Sequence, residues 1–518
     1  MVFNSWQFLV FFPVVTGCYF VFTMKLRNPP WARFFLLAAS LFFYGYWNPW
    51  YLGLILFSVG VSWAGALLLE DKTGALRKLI LGLSVGLNLG VLFSFKYYPF
   101  FLETFQVIGS SLGGSGVTGK NLSPVQLLLP VGISFYTFQA LGYLIDVYRG
   151  AVQAERSPLV YALFVTFFPQ LVAGPIERTG HLLPQFKMPQ GFDYERVTSG
   201  LRLAAWGMFK KVAIADRLAV YVNGVFNAPE SYPAPALALG VLFFTFQIYG
   251  DFSGYSDIAV GAARILGFNL SINFRCPYFA RSVRDFWRRW HISLSNWFKD
   301  YLYIPLGGSR TRRAPLNLLI TFGISGLWHG AAWHFVFWGL LHGLFQIAER
   351  GVGRCTGAFR RRIGAFPPGT QNPGLLIKCL QGGLTFLLVS VAWIFFRANT
   401  LREGFLICAR LGGLPAELSG RIRELPARGL VNTIRTAFQL GKTPQGVTSP
   451  IPGFGLTNAG ISLGLVGILL IGGWLRKTGR LRIRRLPLAP RWAVYYALLA
   501  VVFLSWDAGS SLFIYFTF

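Results

Sequence analysis

From Trp6 to Met24 the chain runs without a charged residue, and comparable apolar stretches follow at Phe34 to Tyr46, Trp50 to Leu69, Leu79 to Phe95, Ile461 to Trp474 and Ala493 to Trp506. A helix needs about 20 such residues to cross a hydrocarbon core about 30 Å thick. The middle of the chain is less clean, with shorter apolar pieces interrupted by Gly and Pro. Together the pattern predicts roughly ten to twelve transmembrane or re-entrant helices, an all-α polytopic membrane protein. Composition agrees, since 54% of the 518 residues are hydrophobic and only 13% charged, well away from soluble usage.

The net charge of +29 invites a nucleic-acid reading. Lys and Arg instead cluster in the short segments between spans, as cytoplasmic loops do. No nucleic-acid partner is expected. Residues 1–24 lack the basic start and small-residue cleavage site of a secretory leader, so they read as a retained first helix. Lys25, Arg27 and Arg33 follow that helix, and Lys72, Arg77 and Lys78 follow the hairpin turning at Trp47-Asn48-Pro49-Trp50. This places the N-terminus outside. At the other end the run RKTGRLRIRRLPLAPR (476–491) belongs inside, so the last span leaves the C-terminus outside as well. Five scattered cysteines, Cys18, Cys276, Cys355, Cys379 and Cys408, form no CxxC pair and predict no disulfide framework.

The stretch LWHGAAWHFVFWGLLHG (327–343) puts three histidines into apolar surroundings. Basic residues flank it on both sides, Arg310, Arg312 and Arg313 before and Arg350 and Arg354 after, with too little chain between Pro315 and Arg350 for two complete crossings. A hairpin of two shortened helices, bent near Gly330 inside the membrane, satisfies both constraints. Non-helical backbone at that depth must be buried in protein or line a cavity. His329 sits at the bend, where an ionisable residue is a functional candidate. His334 and His342 read as packing or hydrogen-bonding residues. The spacing of the three, about 140° and 80° apart around a helix, is not that of a metal site, and no metal is expected.

A second constellation, RSVRDFWRRWHISLSNWFKDYLYIPLGGSR (281–310), surrounds Asp285 with Arg281, Arg284, Arg288 and Arg289 and interleaves Trp287, Trp290 and Trp297. It reads as an interfacial amphipathic helix with His291 at its centre. Its Arg and Trp residues either hold that helix at the membrane surface or dock an anionic donor, because guanidinium forks pair with phosphate.

These motifs, together with LPVGISFYTFQALGYLIDVYRG (129–150), FFPQLVAGPIER (167–178) and DFSGYSDIA (251–259), give nearly the whole chain a resemblance to the membrane-bound O-acyltransferase family. The likeness is to its bacterial branch, which includes the alginate O-acetylation membrane protein and the teichoic acid D-alanyl transfer protein. The resemblance implies a central funnel, flanked by interfacial amphipathic helices, that moves an acyl group from a cytoplasmic thioester to a hydroxyl outside. It places the family's catalytic histidine on His329, in Trp328-His329-Gly330, and a second polar position on His291. Trp287, Asp285, Arg288, Arg289, Asn296 and Trp328 are the expected substrate contacts, with Asn296, His291 and backbone near Gly330 as candidate oxyanion donors. Acetyl-CoA or another acyl thioester is the expected donor, and no bound cofactor is implied.

A neutral imidazole, pKa near 6.5, can take the proton of an attacking hydroxyl. The tail DAGSSLFIYFTF carries Phe513-x-Tyr515-x-x-Phe518, which is similar to the aromatic C-terminal motif of the small partner peptides of D-alanyl transfer. Tyr515 is therefore a candidate acyl relay, since a phenol of pKa about 10 is nearly as good a leaving group as a thiol of about 8.5. An aromatic belt residue is its alternative. The expected acceptor is an extracytoplasmic polysaccharide such as alginate, reached directly or through a periplasmic acetyltransferase partner, in the bacterial inner membrane among its lipids. D-alanylation and peptidoglycan acetylation compete within the same chemistry; a transporter or a non-catalytic scaffold competes from outside it.

The expected organisation is N-terminal transmembrane helices over 1–125, a catalytic core over 126–350, a cytoplasmic loop, one span and an amphipathic cap over 351–460, and C-terminal helices with an outer aromatic tail over 461–518. Within it, 397–450 fits worst. Its arginines would lie outside, against the charge pattern.

Overall fold

The computed structural model describes residues 1–27, 29–111, 129–188, 190–362, 374–440, 451, 454–478, 486–506 and 513–514. Among them every regular element is helical. Among the described residues seven helices are long and apolar enough to cross a membrane: Trp6–Lys25, Tyr51–Asp71, Gly74–Ser110, Ala234–Leu266, Leu375–Arg397, Leu456–Leu475 and Leu488–Ser505. The chain is a multi-pass, all-α membrane protein. Pro29–Gly45, Ile133–Tyr148 and Ala314–His329 are shorter apolar helices.

Contacts divide the chain into two compact units, Met1–Ala205 with Tyr255–Ile272, and Trp206–Gly254 with Asn273–Phe518. In the first unit, Tyr51–Asp71, Gly74–Leu92 and Ile133–Tyr148 pack together around polar pairs that satisfy each other in the apolar interior. Ser58 Oγ donates to Asn88 Oδ1 at 2.5 Å and Tyr161 Oη to Ser62 Oγ at 2.6 Å. The FFPQ motif breaks a helix at Phe167, which frees the carbonyl of Phe164. Gln139 and Gln170 both donate their amides to it, at 2.5 and 2.7 Å. An unmade backbone hydrogen bond in a dry interior is costly, so these glutamines account for much of that motif. At Gly132, φ is +76° and a Cβ would stand 2.9 Å from the Leu171 carbonyl, which explains the Pro-Val-Gly that precedes the Ile133–Tyr148 helix.

In the second unit, the expected hairpin is present. Ala314–His329 and Trp333–Arg362 pack along each other and are joined by a bend at 330–332. The first helix is short, as expected, whereas the second is 30 residues long. Glycines allow the two backbones to touch. A Cβ on Gly326 would stand 2.2 Å from the Phe335 carbonyl oxygen, and one on Gly339 2.1 Å from that of Phe322.

The Leu375–Arg397 span follows, then the helices Leu401–Gly412, Leu414–Arg423 and Leu430–Ala437. Two arginines of the region that fitted the charge pattern badly have specific partners. Arg397 donates to Asn223 and Asn227, and Arg410 to the carbonyls of Tyr232 and Pro229.

Candidate functional site

His329 is the last residue of the Ala314–His329 helix. Gly330 leaves the helix in extended backbone, φ −159° and ψ 145°. What demands glycine here is space: a Cβ would fall 2.1 Å from the ring of Phe335. The imidazole is buried, with the rings of Trp328 and Trp338 each at 5.0 Å and Phe396 at 5.5 Å.

His291 reaches the same place from a different element. The 281–310 segment is not the single amphipathic helix the sequence suggests; it consists of a short helix Val283–Trp287, a break, a second helix Ile292–Phe298 and a π turn Lys299–Tyr303. His291 occupies the break in left-handed conformation, φ 43° and ψ 53°. That conformation costs a non-glycine residue about 1–2 kcal/mol. The preceding chain supplies the compensation. Asn273 accepts from Ile292 N–H through its backbone carbonyl at 3.0 Å, and its side-chain oxygen accepts from Ser293 Oγ at 2.7 Å and Ser293 N–H at 3.2 Å. Arg275 N–H donates to the Arg289 carbonyl at 3.0 Å. The backbone is clamped on both sides of His291, and its fully buried ring lies 6.4 Å from that of His329, centroid to centroid.

The expected site residues separate into two groups. Trp328 joins the histidine pair, with its ring 6.0 Å from His291. Trp287 does not stand at a surface. It is buried, and its indole N–H donates to Nδ1 of His342 at 3.3 Å, which leaves the proton of the neutral imidazole on Nε2. Trp290, Trp338 and Trp393 are also fully buried beside it, so this tryptophan cluster forms the core of the second unit and does not anchor a helix at headgroup depth. His334 donates from Nδ1 to the Phe395 carbonyl at 3.0 Å. The packing and hydrogen-bonding readings of His334 and His342 hold.

Asp285 pairs with Arg289 at 2.9 Å and accepts from Arg281 N–H. Arg288 and Asn296 are exposed. Tyr515 lies outside the described residues, although Phe513 and Ile514 just before it do not.

Four residues near the site, Glu349, Lys211, Phe252 and Asn273, escaped sequence reasoning as contributors to it. Glu349, on the Trp333–Arg362 helix, accepts from Val283 and Arg284 N–H and so caps the Val283–Trp287 helix. Lys211 lies on the π turn Phe209–Asp216 and pairs with Asp251 at 2.6 Å and Asp216 at 2.8 Å. Breaking such a buried pair typically costs about 3–5 kcal/mol. Asp251 opens the DFSGYSDIA motif (251–259). Phe252, next to it, packs edge-on against His291 at 4.6 Å. Asn273 offered no sequence signal at all.

An all-helical, multi-pass membrane protein with two imidazoles facing each other in its interior is the class that fold and site define. Residues 151–391, which include both histidines, match the family model of the membrane-bound O-acyltransferases. The chain is 39% identical to the probable alginate O-acetylase of Pseudomonas putida over 80% of each sequence. It is 36% identical to the peptidoglycan O-acetyltransferase of Helicobacter pylori, again over 80% of each. Similarity to the teichoic acid D-alanyltransferase of Streptococcus thermophilus is lower, 28% over 42% of this chain and 56% of that one. The chain belongs to the membrane-bound O-acyltransferase family, and it is an O-acyltransferase.

Proposed function

We propose that this enzyme moves an acetyl group from a cytoplasmic thioester, acetyl-CoA, across the bacterial inner membrane for O-acetylation of an extracytoplasmic polysaccharide such as alginate. The observation that carries the reading is the buried pair His291 and His329, 6.4 Å apart, in a chain so similar to an alginate O-acetylase. Both termini face outward in this arrangement, which keeps the basic loops inside. Arg288 and Arg289 meet the donor's phosphates.

His329 acts as the general base. The attacking hydroxyl oxygen forms the new C–O bond to the thioester carbonyl carbon and its proton passes to the imidazole. The tetrahedral intermediate then breaks the C–S bond, and the thiolate recovers that proton to leave as a thiol. Such general base catalysis is worth about 10²- to 10⁴-fold. His291 supports the developing oxyanion from its clamped position, where a fixed donor needs no reorganisation.

The first hydroxyl to attack is the phenol of Tyr515. The aryl ester it forms is then transferred to the polysaccharide or to a periplasmic partner. Support comes from the two residues before it, since Phe513 packs 5.8 Å from Phe252, itself against His291.

The test uses the purified full chain in lipid vesicles with acetyl-labelled acetyl-CoA. Thioester cleavage by the wild type, abolished in His329→Ala, is the expected result; equal label movement in both, without cleavage, identifies a transporter instead. Tyr515→Phe removes labelling of the chain, and persistence of that label overturns the relay. The similarity to a peptidoglycan O-acetyltransferase makes peptidoglycan the competing acceptor, and analysis of the acetylated glycan decides between them.

A further inference from the structure

Asp251 does more than neutralise a buried lysine. Its Oδ1 meets Lys211 Nζ at 2.6 Å, while its Oδ2 accepts the backbone N–H of Ile514 at 2.7 Å. Asp251 and Lys211 are both almost wholly buried, and Lys211 is held in turn by Asp216 at 2.8 Å. The lysine sits on the π turn Phe209–Asp216. Such turns widen a helix locally and are frequent at functional sites. A carboxylate buried so deeply needs a cation, and once it has one its second oxygen remains available for another donor. That donor comes from the end of the chain, 263 residues away.

The consequence is positional. Phe513, one residue before the gripped amide, packs 5.8 Å from Phe252; Phe252 packs 4.6 Å from His291; and His291 lies 6.4 Å from His329. The ion pair therefore seats Phe513 and Ile514 near the two histidines through one backbone hydrogen bond and a short run of rings. A main-chain N–H is gripped whatever the side chain, so the contact fixes the position of Ile514 itself.

We infer that Asp251, held by Lys211, is a positioning residue for acyl transfer: its carboxylate docks the chain at Phe513 and Ile514 near the histidine pair. This rests on the reading of His329 as the reacting base and adds an element that reading does not require. The grip acts through the tail's backbone and touches no reacting atom.

The test separates the two ideas. A photo-crosslinking phenylalanine analogue replaces Phe513 in the full-length, vesicle-reconstituted enzyme, and crosslinks to the 249–252 and 291 region are mapped alongside acetyl-CoA turnover. Asp251→Ala should lose the crosslink and lower turnover about ten- to a hundredfold, the worth of one hydrogen bond to a charged acceptor, with KM for acetyl-CoA unchanged. Ile514→Pro deletes the donor N–H and leaves the buried ions intact; it should reproduce both losses, while Ile514→Leu keeps crosslink and turnover. His329→Ala should lose turnover and keep the crosslink. Full turnover in Ile514→Pro, or a retained crosslink in Asp251→Ala, overturns the positioning role. Full turnover in His329→Ala overturns the catalytic reading alone.

Discussion

The side-chain oxygen of Asn273 accepts from both the hydroxyl and the backbone N–H of Ser293, and with the Ile292–Asn273 and Arg275–Arg289 backbone bonds it holds the turn at which His291 leaves the helix and faces His329. The residue that shapes the site carries no chemistry of its own. It acts by making a left-handed histidine affordable.

Replacing Asn273 with Ala strands two polar groups of Ser293, which is buried. An unsatisfied buried donor costs about 1–3 kcal/mol. We expect a lower thermal midpoint in detergent and a loss of acetyl transfer of at least about tenfold, because His291 is released. Asn273→Asp keeps the acceptor and should retain most of the transfer. Transfer in Asn273→Ala equal to wild type would show that the backbone turn forms without this contact.

Trp287 separates a core role from a substrate role. Trp287→Phe preserves an aromatic ring against Trp338 and Phe322 but leaves His342 Nδ1 without its donor. Stability should fall by about 1–3 kcal/mol, and KM for acetyl-CoA should stay unchanged. A raised KM with unaltered stability would restore the substrate-contact reading.

The hairpin gives a pair of opposed outcomes on one helix. Gly339→Ala drives a Cβ to 2.1 Å from the Phe322 carbonyl, so the helices must part, at a typical overpacking cost of about 1–3 kcal/mol. Gly351→Ala, on the same helix with nothing within 4 Å of the new Cβ, should instead stabilise slightly through helix propensity. Thermal unfolding of the two variants side by side checks the geometry of the bend.

A pH-dependent contribution comes from His181, whose imidazole lies 2.8 Å from the buried Glu177 carboxylate. That hydrogen bond raises its pKa above the usual 6.5. A folded-state pKa raised above the unfolded one contributes stability that is fully present below about 6.5. The contribution is lost as pH rises through the folded value. The ring is partly exposed, so solvent screening keeps the effect small. His181→Gln should flatten the fall in thermal midpoint just above pH 6.5, and an identical pH profile in the variant would refute the assignment.

Much of the fold is legible because membrane insertion is read locally. Trp6–Lys25, Tyr51–Asp71 and Leu488–Ser505 are visible as uncharged runs, and the bend at Gly330 follows from two basic flanks placed too close together. His329 could be singled out on the same grounds, as an ionisable residue at a helix break. The segment around His291 misleads for a related reason. Its alternation of Arg and Trp has the local pattern of an interfacial helix, whereas Trp287 and Trp290 are buried and a distant Asn breaks the helix.

Apolar run length, flanking charge and motif identity, all properties of neighbouring residues, determined from sequence alone that this is a multi-pass helical protein, and they singled out His329 as an ionisable residue at a helix break. Tertiary structure alone decided that His291 faces that ring, that Trp287 serves the core, and that Asp251 grips the end of the chain. Each of these depends on a hydrogen bond or ring contact between residues far apart in sequence, and the partner in such a contact is chosen by how the helices pack, which no local pattern records.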